Sequence, residues 1–454
     1  FVKRKTMTKD LTAGSVTKTM LLFSCPMILG NLLQQLYNVA DSFIVGKFIG
    51  SDALAAVGSA YSLMTFITSV LIGLCMGSGT VFSVCFGKGD SEKLKNSSAA
   101  SFIFIAAVTV IMNIITFALA DPILHLLNVP DEIYEMMRSY VVIVFGGLFF
   151  VFLYNYFAFL LRAIGNSAVP LYFLGAAAVI NIVLDVVLVT AADMGIRGAA
   201  IATVIAQAVS GVGLGAYVLI KEPELLLKRK ELHITFTLMR EVIRHSFASS
   251  IQQSVMNFGI LMIQGLVNSF GTAVMAAFAA AVKIDSFAYM PAQEFGNAFS
   301  IFISQNHGGR KYDRVKEGTH RAAAVSAAFC LFVSVMIFLL AKYLMQIFID
   351  PSETEIIGIG IGYLRIEGSF YIGIGVLFLL YGFYRGIEKP EMSLVLTIIS
   401  LGTRVLLAYI LSPILSIGIL GIWSSIPIGW FLADAVGILF MKKALRSAQN
   451  NKNG

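Results

Sequence analysis

Twelve apolar stretches, each long enough to cross a lipid bilayer, follow one another along the 454-residue chain. A spanning helix needs about 20 mostly apolar residues, because its backbone must satisfy its own hydrogen bonds inside the hydrocarbon. Apolar residues make up 57% of the chain and charged residues 13%, too few to cover a water-facing particle of this size. The sequence therefore predicts an all-α, polytopic membrane protein with twelve transmembrane helices. The spans lie near residues 17–43, 52–85, 97–120, 138–160, 168–190, 197–220, 241–268, 272–303, 318–341, 357–383, 392–412 and 418–441.

Lysine and arginine are concentrated in alternate gaps between these spans and at both chain ends. The opposite gaps carry only Lys47, Arg138, Arg197 and Lys342. Because short cytoplasmic loops carry the excess of basic residues, this alternation predicts that both termini are cytoplasmic. The net charge of +7 then reflects membrane topology, and we expect no nucleic-acid partner.

The two halves of the chain resemble each other at a nearly fixed offset. With an offset of 221, residues 50–56 align with 271–277, and residues 129–130 align with 350–351. With an offset of 223, residues 162–164 align with 385–387, and residues 195–198 align with 418–421. Six spans are an even number, so both halves share one orientation, as in transporters built from parallel repeats. We predict an N-terminal six-helix lobe at 1–220, a cytoplasmic linker at 221–240 and a C-terminal six-helix lobe at 241–454.

Ionisable residues inside the predicted spans are the first functional candidates, because a charge at bilayer depth is costly. Asp41 lies in the last third of the first span and Asp185 deep in the fifth. Asn181 precedes Asp185 by four residues and so shares its helix face. With Thr203 in the sixth span, these oxygens suit a proton or a hard cation such as Na⁺. They include no soft ligand, so a transition metal is not expected.

The internal repeat offers a test of this ion site. Across it, Asp41 maps onto Met262, Asp185 onto Ala408 and Asn181 onto Arg404. If the acids only supported helix packing common to both halves, the second half could have kept them, and it has not. The pattern favours an ion site over the alternative of buried carboxylates satisfied by neighbouring hydroxyl groups.

The C-terminal half has its own charges within predicted spans, and two interpretations of them stay open. They are Lys283, Asp285, Glu294, Arg365, Glu367, Arg404 and Asp434. In the first interpretation they pair with one another inside the bundle. In the second they form a substrate contact or a second ion site. Lys283 and Asp285 are two residues apart and do not face each other on a helix, so each needs another partner.

A substrate cavity would need adaptable apolar and aromatic side chains together with a few polar ones. The candidates are Gln34, Tyr37, Tyr140, Asn155, Met256, Met262 and Met290, although such residues also serve as ordinary packing. Pro26 lies within the first span and removes one backbone hydrogen bond. It predicts a helix bend, either a moving switch or a static kink.

Enzymatic function has no support in the sequence. The five histidines fall in gaps or near span ends, and neither HExxH nor GxxxxGK[ST] occurs. An intramembrane metalloprotease and an ATP-driven pump are therefore not expected. We predict no catalytic residues and no cofactor, with H⁺ or Na⁺ as a coupling ion and no other metal.

Several motifs resemble the multidrug and toxic compound extrusion (MATE) family. Pro26, residues 34–37, Asp41, Gly46 and residues 50–56 resemble its first span, and residues 162–166 and 181–185 resemble its fourth and fifth spans. The resemblance implies a monomeric secondary antiporter in a prokaryotic cytoplasmic membrane, exporting organic cations in exchange for H⁺ or Na⁺. It is closest to a branch whose cation site would comprise Asp41, Asn181, Asp185 and Thr203.

Two other functions compete with this expectation. One is a lipid-linked saccharide flippase of the same wider superfamily, which the acids of the N-terminal half disfavour because they suit cationic cargo. The other is a receptor or scaffold that transports nothing, which the internal repeat and the intramembrane acids disfavour.

Overall fold

The computed structural model describes residues 10–127, 129–225, 233–414 and 417–453, and within these ranges the regular structure is helical throughout. A π-helical turn, Val187–Ala191, continues one of the helices, and a short 3₁₀ turn lies at Pro223–Leu225. The α-helices are α1 (Val16–Phe48), α2 (Ser51–Lys88), α3 (Ser91–Ala118), α4 (Ala120–Leu126), α5 (Asp131–Gly146), α6 (Leu148–Ala163), α7 (Ala168–Val186), α8 (Gly195–Lys221), α9 (Phe236–Asn268), α10 (Thr272–Gly308), α11 (Tyr312–Met345), α12 (Thr354–Gly368), α13 (Tyr371–Gly386), α14 (Pro390–Leu411) and α15 (Ile419–Asn453).

Every predicted span coincides with one helix or one bent pair of helices, with ends that differ by several residues. Among the described residues, nine helices are long and apolar enough to cross a membrane, and two bent pairs bring the number to eleven. The seventh predicted span is α9, which is 33 residues long and less apolar than these. Its first turns carry Arg240, Glu241 and Arg244, and its middle carries Gln252 and Gln253. The prediction of twelve transmembrane helices is confirmed.

The fourth and tenth spans are broken, whereas the apolar pattern predicted one continuous segment for each. Helices α5 and α6 meet at 44° around Gly147, and α12 and α13 meet at 51° around residues 369–370. A Cβ atom at Gly147 would lie 2.5 Å from Gln207 Oε1 of α8, so glycine permits close helix contact at this break. The two breaks are equivalent positions of the repeat, at an offset of about 223.

Left-handed backbone positions repeat along the chain with the sequence offsets. The matching residues are Gly50 and Gly271 (φ 125° and 96°), Gly89 and Arg310 (74° and 55°), Gly165 and Glu388 (87° and 63°), and Gly195 and Gly418 (54° and 51°). In each pair the spacing is 221 or 223 residues. The duplication therefore preserved backbone conformation in the connections between helices, even where glycine was replaced by a residue that the conformation strains.

The described residues form two compact units, and each unit includes the first turns of the helix that opens the other repeat. The N-terminal unit comprises Cys25–Ser250, and the C-terminal unit comprises Leu11–Ser24 together with the residues from Ile251 onward. The predicted lobe boundaries at 220 and 241 stay a prediction, and residues 226–232 of the predicted linker lie outside the described residues. Helices α1 and α9, which open the two repeats, each contribute residues to both units.

Hydrogen bonds fix these interchanged segments within their units. In the C-terminal unit, the Leu11 carbonyl accepts from Asn306 Nδ2 at 3.1 Å and from Arg314 Nη2 at 3.2 Å. In the N-terminal unit, Lys93 Nζ lies 2.8 Å from Glu241 Oε2. Lys93 and Arg314 are equivalent in the repeat, at an offset of 221. Each of these basic residues therefore binds a segment at the beginning of the opposite repeat: Lys93 binds Glu241 in α9, and Arg314 binds Leu11 just before α1.

The inner packing of the C-terminal unit depends on glycines where helices touch backbone to backbone. A Cβ atom at Gly382 of α13 would lie 2.4 Å from the carbonyl oxygen of Gly296 of α10. Small residues allow membrane helices to approach closely, where dispersion and backbone contacts replace the hydrophobic effect. This contact brings α10 and α13 together around the buried acid described below.

The left-handed positions give a first prediction about stability. A non-glycine residue in this conformation costs about 1–2 kcal/mol, and Gly89 and Arg310 are both exposed. We expect Arg310→Gly to raise the apparent melting temperature above that of Arg310→Ala, and Gly89→Ala to lower it. A thiol-reactive dye measures unfolding in a Cys25→Ser background, because Cys25 is exposed whereas Cys75, Cys85 and Cys330 are buried. Equal stability of the two Arg310 variants would contradict a strained backbone.

Helix contact gives a second prediction. We expect Gly382→Ala to lower the melting temperature and the yield of folded protein, since overpacking a close contact costs about 1–3 kcal/mol. Gly402→Ala in α14 is the matched control, because a Cβ atom there meets no heavy atom within 4 Å. In that control the better helix propensity of alanine should leave stability unchanged or slightly higher. Indistinguishable variants would show that α10 and α13 do not approach as described.

Candidate ion-binding site

Two buried carboxyl groups from different helices meet in the N-terminal unit. Asp41 of α1 is 8% exposed and Asp185 of α7 is fully buried. Their carboxyl groups interact side chain to side chain. Three carboxyl oxygens lack a hydrogen-bond donor among the described residues: both oxygens of Asp185 and Oδ1 of Asp41. Ionised carboxylates are acceptors only, so the contact needs a proton or a cation between them.

The helix that carries Asp185 changes its winding directly after it. Helix α7 ends at Val186, and the π-helical turn Val187–Ala191 follows without a break. Insertions of this type are often found at functional sites, where they reorient side chains in an otherwise regular helix. Nothing in the sequence indicates this turn, because its apolar residues fit an α-helix equally well.

Asn181 shares the buried face of α7 with Asp185, as the spacing of four residues predicted. It is 2% exposed, while Ile182, Val183 and Val186 between and beyond the two are exposed. Both polar atoms of its side chain lack a hydrogen-bond partner in the described ranges. Asn181 therefore presents an unpaired amide on the helix face that carries Asp185, and its role as an ion ligand stays a prediction.

Thr203 of α8 and Tyr140 of α5 complete the surroundings of the acids. Thr203 Oγ1 donates to the carbonyl of Ala199 at 3.1 Å, within its own helix, and its side chain also contacts the hydroxyl group of Tyr140. Tyr140 is 7% exposed and lies close enough to Asp41 and Asp185 for their charges to act on it. Tyr140, which the sequence suggested as a substrate contact, therefore lies within the acidic cluster.

One face of α1 connects this cluster to the surface of the unit. Gln34, Tyr37 and Asp41 are spaced three and four residues apart, which places them on one side of the helix. Gln34 is exposed, Tyr37 is half-buried and Asp41 is buried. The Tyr37 side chain bonds to Gln34 and lies near Asp41. Polar groups thus extend without interruption from the exposed glutamine to the acid pair.

The other predicted substrate residues do not meet in a described cavity. Asn155 of α6 donates to the carbonyl of Val151 at 2.9 Å. Met256 and Met290 are half-buried and Met262 is 37% exposed, all in the C-terminal unit. Their common cavity stays a prediction, as does the helix bend at Pro26, which lies inside the continuous helix α1.

One cavity of the C-terminal unit lies away from all of these residues. It measures about 420 Å³ and is lined in the C-terminal unit by the ends of α10, α11, α13 and α15, including His307, Tyr384 and Lys443. It contains none of the predicted site residues. We do not assign the substrate to it, because it lacks both the acids and the polar face of α1.

Some charges of the C-terminal unit have partners other than the predicted ion pairs. Lys283 Nζ lies 6.0 Å from the ring centroid of Phe348, and Arg365 Cζ lies 5.0 Å from that of Phe338. Arg385 Nη2 donates to Asn297 Oδ1 at 2.9 Å, and Asn297 donates to Glu294 at 3.2 Å. The expectation that Lys283 and Asp285 would have separate partners agrees with these contacts, since Asp285 accepts from Tyr371.

Comparison with known proteins places the chain among multidrug transporters. The MatE family model matches residues 26–187 and again 246–410, once in each half. The probable multidrug resistance protein YpnP of Bacillus subtilis (strain 168) is 30% identical over 397 residues, which cover 86% of this chain and 87% of that protein. The probable multidrug resistance protein NorM of Thermotoga maritima is 25% identical, over 90% of this chain and 88% of that protein.

Solved structures show the same fold over nearly the whole length. A crystal structure of MATE in complex with MaL6 has a TM-score of 0.92 at 24% identity, covering 99% of this chain and 100% of that one. An outward-facing multidrug resistance MATE family transporter also has a TM-score of 0.92 at 24% identity, covering 98% and 99%. Because the family model matches both repeats and the similarity extends over both units, the chain belongs to the MatE family, the multidrug and toxic compound extrusion transporters.

Proposed function

We propose that this transporter is a secondary antiporter that exports organic cations in exchange for H⁺ or Na⁺, which bind at Asp41 and Asp185. The observation that carries the proposal is the contact between two buried carboxyl groups that lack donors among the described residues. Two such groups cannot both stay ionised in a low-dielectric interior without a cation between them.

Charge balance explains why binding of the ion would alternate with binding of the substrate. One proton or one Na⁺ leaves a single negative charge on the pair, and a second monovalent cation removes it. An organic cation that approaches along Gln34 and Tyr37 would compete for the same negative charge. A ligand shifts a conformational equilibrium only through its different affinity for the two states, and alternate occupancy by ion and drug supplies that difference.

The proposed cargo rests on the relatives and on the chemistry of the acids. The relatives described above carry names of multidrug resistance proteins, and a MepA of Staphylococcus aureus named as a multidrug export protein is 22% identical over 419 residues. The comparisons give no support to the lipid-linked saccharide flippase. We propose organic cations as the substrates, with Asn155, Met256, Met262 and Met290 among the contacts, alongside Gln34, Tyr37 and Tyr140.

We propose that the protein acts as a monomer in a prokaryotic cytoplasmic membrane with both termini inside. The basic gaps between spans support this orientation, because positively charged loops stay in the cytoplasm. Helix α1 is the proposed moving element, since it carries Gln34, Tyr37 and Asp41 and contains Pro26. Pro26 lies just after the point where α1 passes from one compact unit to the other, which makes it a suitable place for a bend during alternating access.

Replacing either acid should abolish ion-driven efflux. We expect Asp41→Asn and Asp185→Asn to reduce ethidium efflux from proteoliposomes at least tenfold under an imposed ΔpH or ΔpNa, because an amide cannot exchange a cation. Whichever gradient drives the parent protein identifies the coupling ion. Efflux is measured as the loss of fluorescence from preloaded DNA-containing vesicles.

The matched control is Asp52→Asn, an exposed acid in the first turn of α2. This variant should transport at the parental rate. All three variants are compared at equal amounts of inserted protein. Normal gradient-driven efflux by both Asp41→Asn and Asp185→Asn would rule out the proposed ion site.

A further inference from the structure

The cavity of the C-terminal unit lies where several helices end or begin. It measures about 420 Å³ and is enclosed by the last turns of α10 and α13, the first turns of α11 and α14, and the C-terminal part of α15. That volume is within the range of pockets that bind small ligands. The proposed antiport does not use this cavity, because none of its residues lines it.

The depth of the cavity in the membrane follows from where the apolar segments stop. Its lining residues lie at the limits of five predicted spans or within a few residues of them. The spans that end here do so at residues 303, 383 and 441, and those that begin here do so at 318 and 392. Five spans thus reach the membrane surface around one cavity, which places it at the boundary between hydrocarbon and water.

Basic side chains from four parts of the chain line the cavity. They are His307 of α10, Lys316 of α11, Lys389 just before α14, and Lys443 of α15. Lys316 and Lys389 are exposed and form no ion pair with another described residue. Cations that converge from separate helices suit a phosphate group, whose oxygens accept several charge-assisted hydrogen bonds at once.

The acids in this region do not cancel the positive charge. Asp313 of α11 also lines the cavity, and Glu388 Oε2 lies 3.6 Å from His307 Nε2. If His307 is counted with Glu388, the three lysines still outnumber the one aspartate of the lining. The cavity therefore attracts an anionic ligand.

The remaining lining is largely apolar and reaches the outer surface of the unit. Phe383 is buried, Met392 and Leu445 are half-buried, and Phe440 is 53% exposed. Leu439, next to Phe440, is 68% exposed, so this part of α15 presents apolar side chains outward. The lining thus passes from a basic region to a surface that acyl chains would cover.

The internal repeat shows that most of these cations belong to the C-terminal half alone. Only Lys316 has a basic counterpart, which is Lys95 at an offset of 221. The counterparts of the other three are uncharged: Phe86 at the same offset, and Asn166 and Ile220 at an offset of 223. Helix packing common to both halves therefore does not require the three cations.

In the N-terminal unit the chain itself covers the first turns of α3, which correspond to those of α11. Leu225 is 8% exposed, and its carbonyl accepts from Ser98 Oγ of α3 at 3.5 Å. The backbone N–H of His233 donates to Asn96 Oδ1 of α3 at 2.8 Å. In the C-terminal unit α15 instead continues as a helix to Asn453, and the cavity lies beside it.

We propose that this cavity binds the headgroup of an anionic phospholipid. Lys316, Lys389 and Lys443 surround its phosphate, and Met392 and Phe440 contact its acyl chains. Basic pockets between membrane helices recognise anionic headgroups through this combination. The site goes beyond the proposed antiport and does not depend on it. Only the assignment to the cytoplasmic leaflet rests on the orientation proposed above.

A free phosphate ion shares the headgroup chemistry but fits the cavity less well. It would satisfy the lysines and leave Met392, Phe440 and Leu445 without an apolar partner. The position at the membrane boundary and the exposed apolar side of α15 both favour a phosphate that carries acyl chains.

The test measures binding of palmitoyl-oleoyl phosphatidylglycerol to the full-length protein in detergent by native mass spectrometry. We expect the combined Lys316→Gln, Lys389→Gln, Lys443→Gln variant to bind this lipid roughly tenfold more weakly or worse, because each basic residue near an anionic headgroup adds to the attraction. Phosphatidylcholine, which has no net charge, should bind the parent protein more weakly than phosphatidylglycerol.

Two further variants separate the cavity from general surface charge. The matched control is Lys88→Gln, Lys95→Gln, Lys221→Gln, which removes the same charge from the N-terminal unit and should bind phosphatidylglycerol like the parent. Ala444→Phe fills the cavity without changing charge, since Ala444 lines it, and should weaken binding as the C-terminal triple variant does. Gel filtration checks that each variant is folded, and Ala444→Phe carries the test if the triple variant is not.

Four results would overturn the proposal. They are parental binding in both C-terminal variants, an equal loss in the N-terminal control, equal binding of phosphatidylcholine, and displacement of the bound lipid by inorganic phosphate at millimolar concentration. The last result would assign the site to a free phosphate ion. Drug efflux does not enter this readout, so a failure of the proposed antiport is distinguishable from a failure of the lipid site.

Discussion

A carboxylate enclosed by membrane helices has to be neutralised, and this requirement organises both compact units. A buried carboxylate is costly unless it is paired, so its charge is removed by a proton, a metal ion or a fixed cation. Among the described residues of the N-terminal unit, no lysine or arginine acts on Asp41 or Asp185, which is why we propose an exchangeable ion there. In the C-terminal unit Arg404 acts on Asp285 and Glu367 and supplies part of the positive charge. The two halves therefore neutralise their buried acids in different ways.

Duplication preserved the scaffold and altered the chemistry. The left-handed backbone at Gly89 recurs at Arg310, and that at Gly165 recurs at Glu388, although neither replacement favours that conformation. The breaks in the fourth and tenth spans also recur. By contrast, Asn181 corresponds to Arg404 in the C-terminal half. A fold that tolerates such a change keeps its helix contacts, because these depend on backbone approach and small residues rather than on the identity of the polar group.

The spans, the duplication and the shared face of Asn181 and Asp185 could be predicted because each depends on spacing along one helix. Contacts between helices could not, since Asp285 and Glu367 lie 82 residues apart and nothing in either segment encodes their meeting. The break at Gly147 escaped detection because a glycine inside an apolar run fits both a straight and a bent span. The π-helical turn after Asp185 was missed for the same reason. The predicted substrate methionines remain predictions, because packing and binding surfaces use the same side chains.

The central claim is that Asp41 and Asp185 bind the coupling ion in exchange for the organic cation. Linkage requires that the ion then weaken drug binding, and that it do so only through these acids. The most direct measurement is the affinity of purified protein for tetraphenylphosphonium over a range of pH and Na⁺ concentration. We expect the affinity to fall as the H⁺ or Na⁺ concentration rises in the parent protein, and to be independent of both in the Asp41→Asn, Asp185→Asn variant. The same ion dependence in both proteins, or none in the parent, would contradict the central claim.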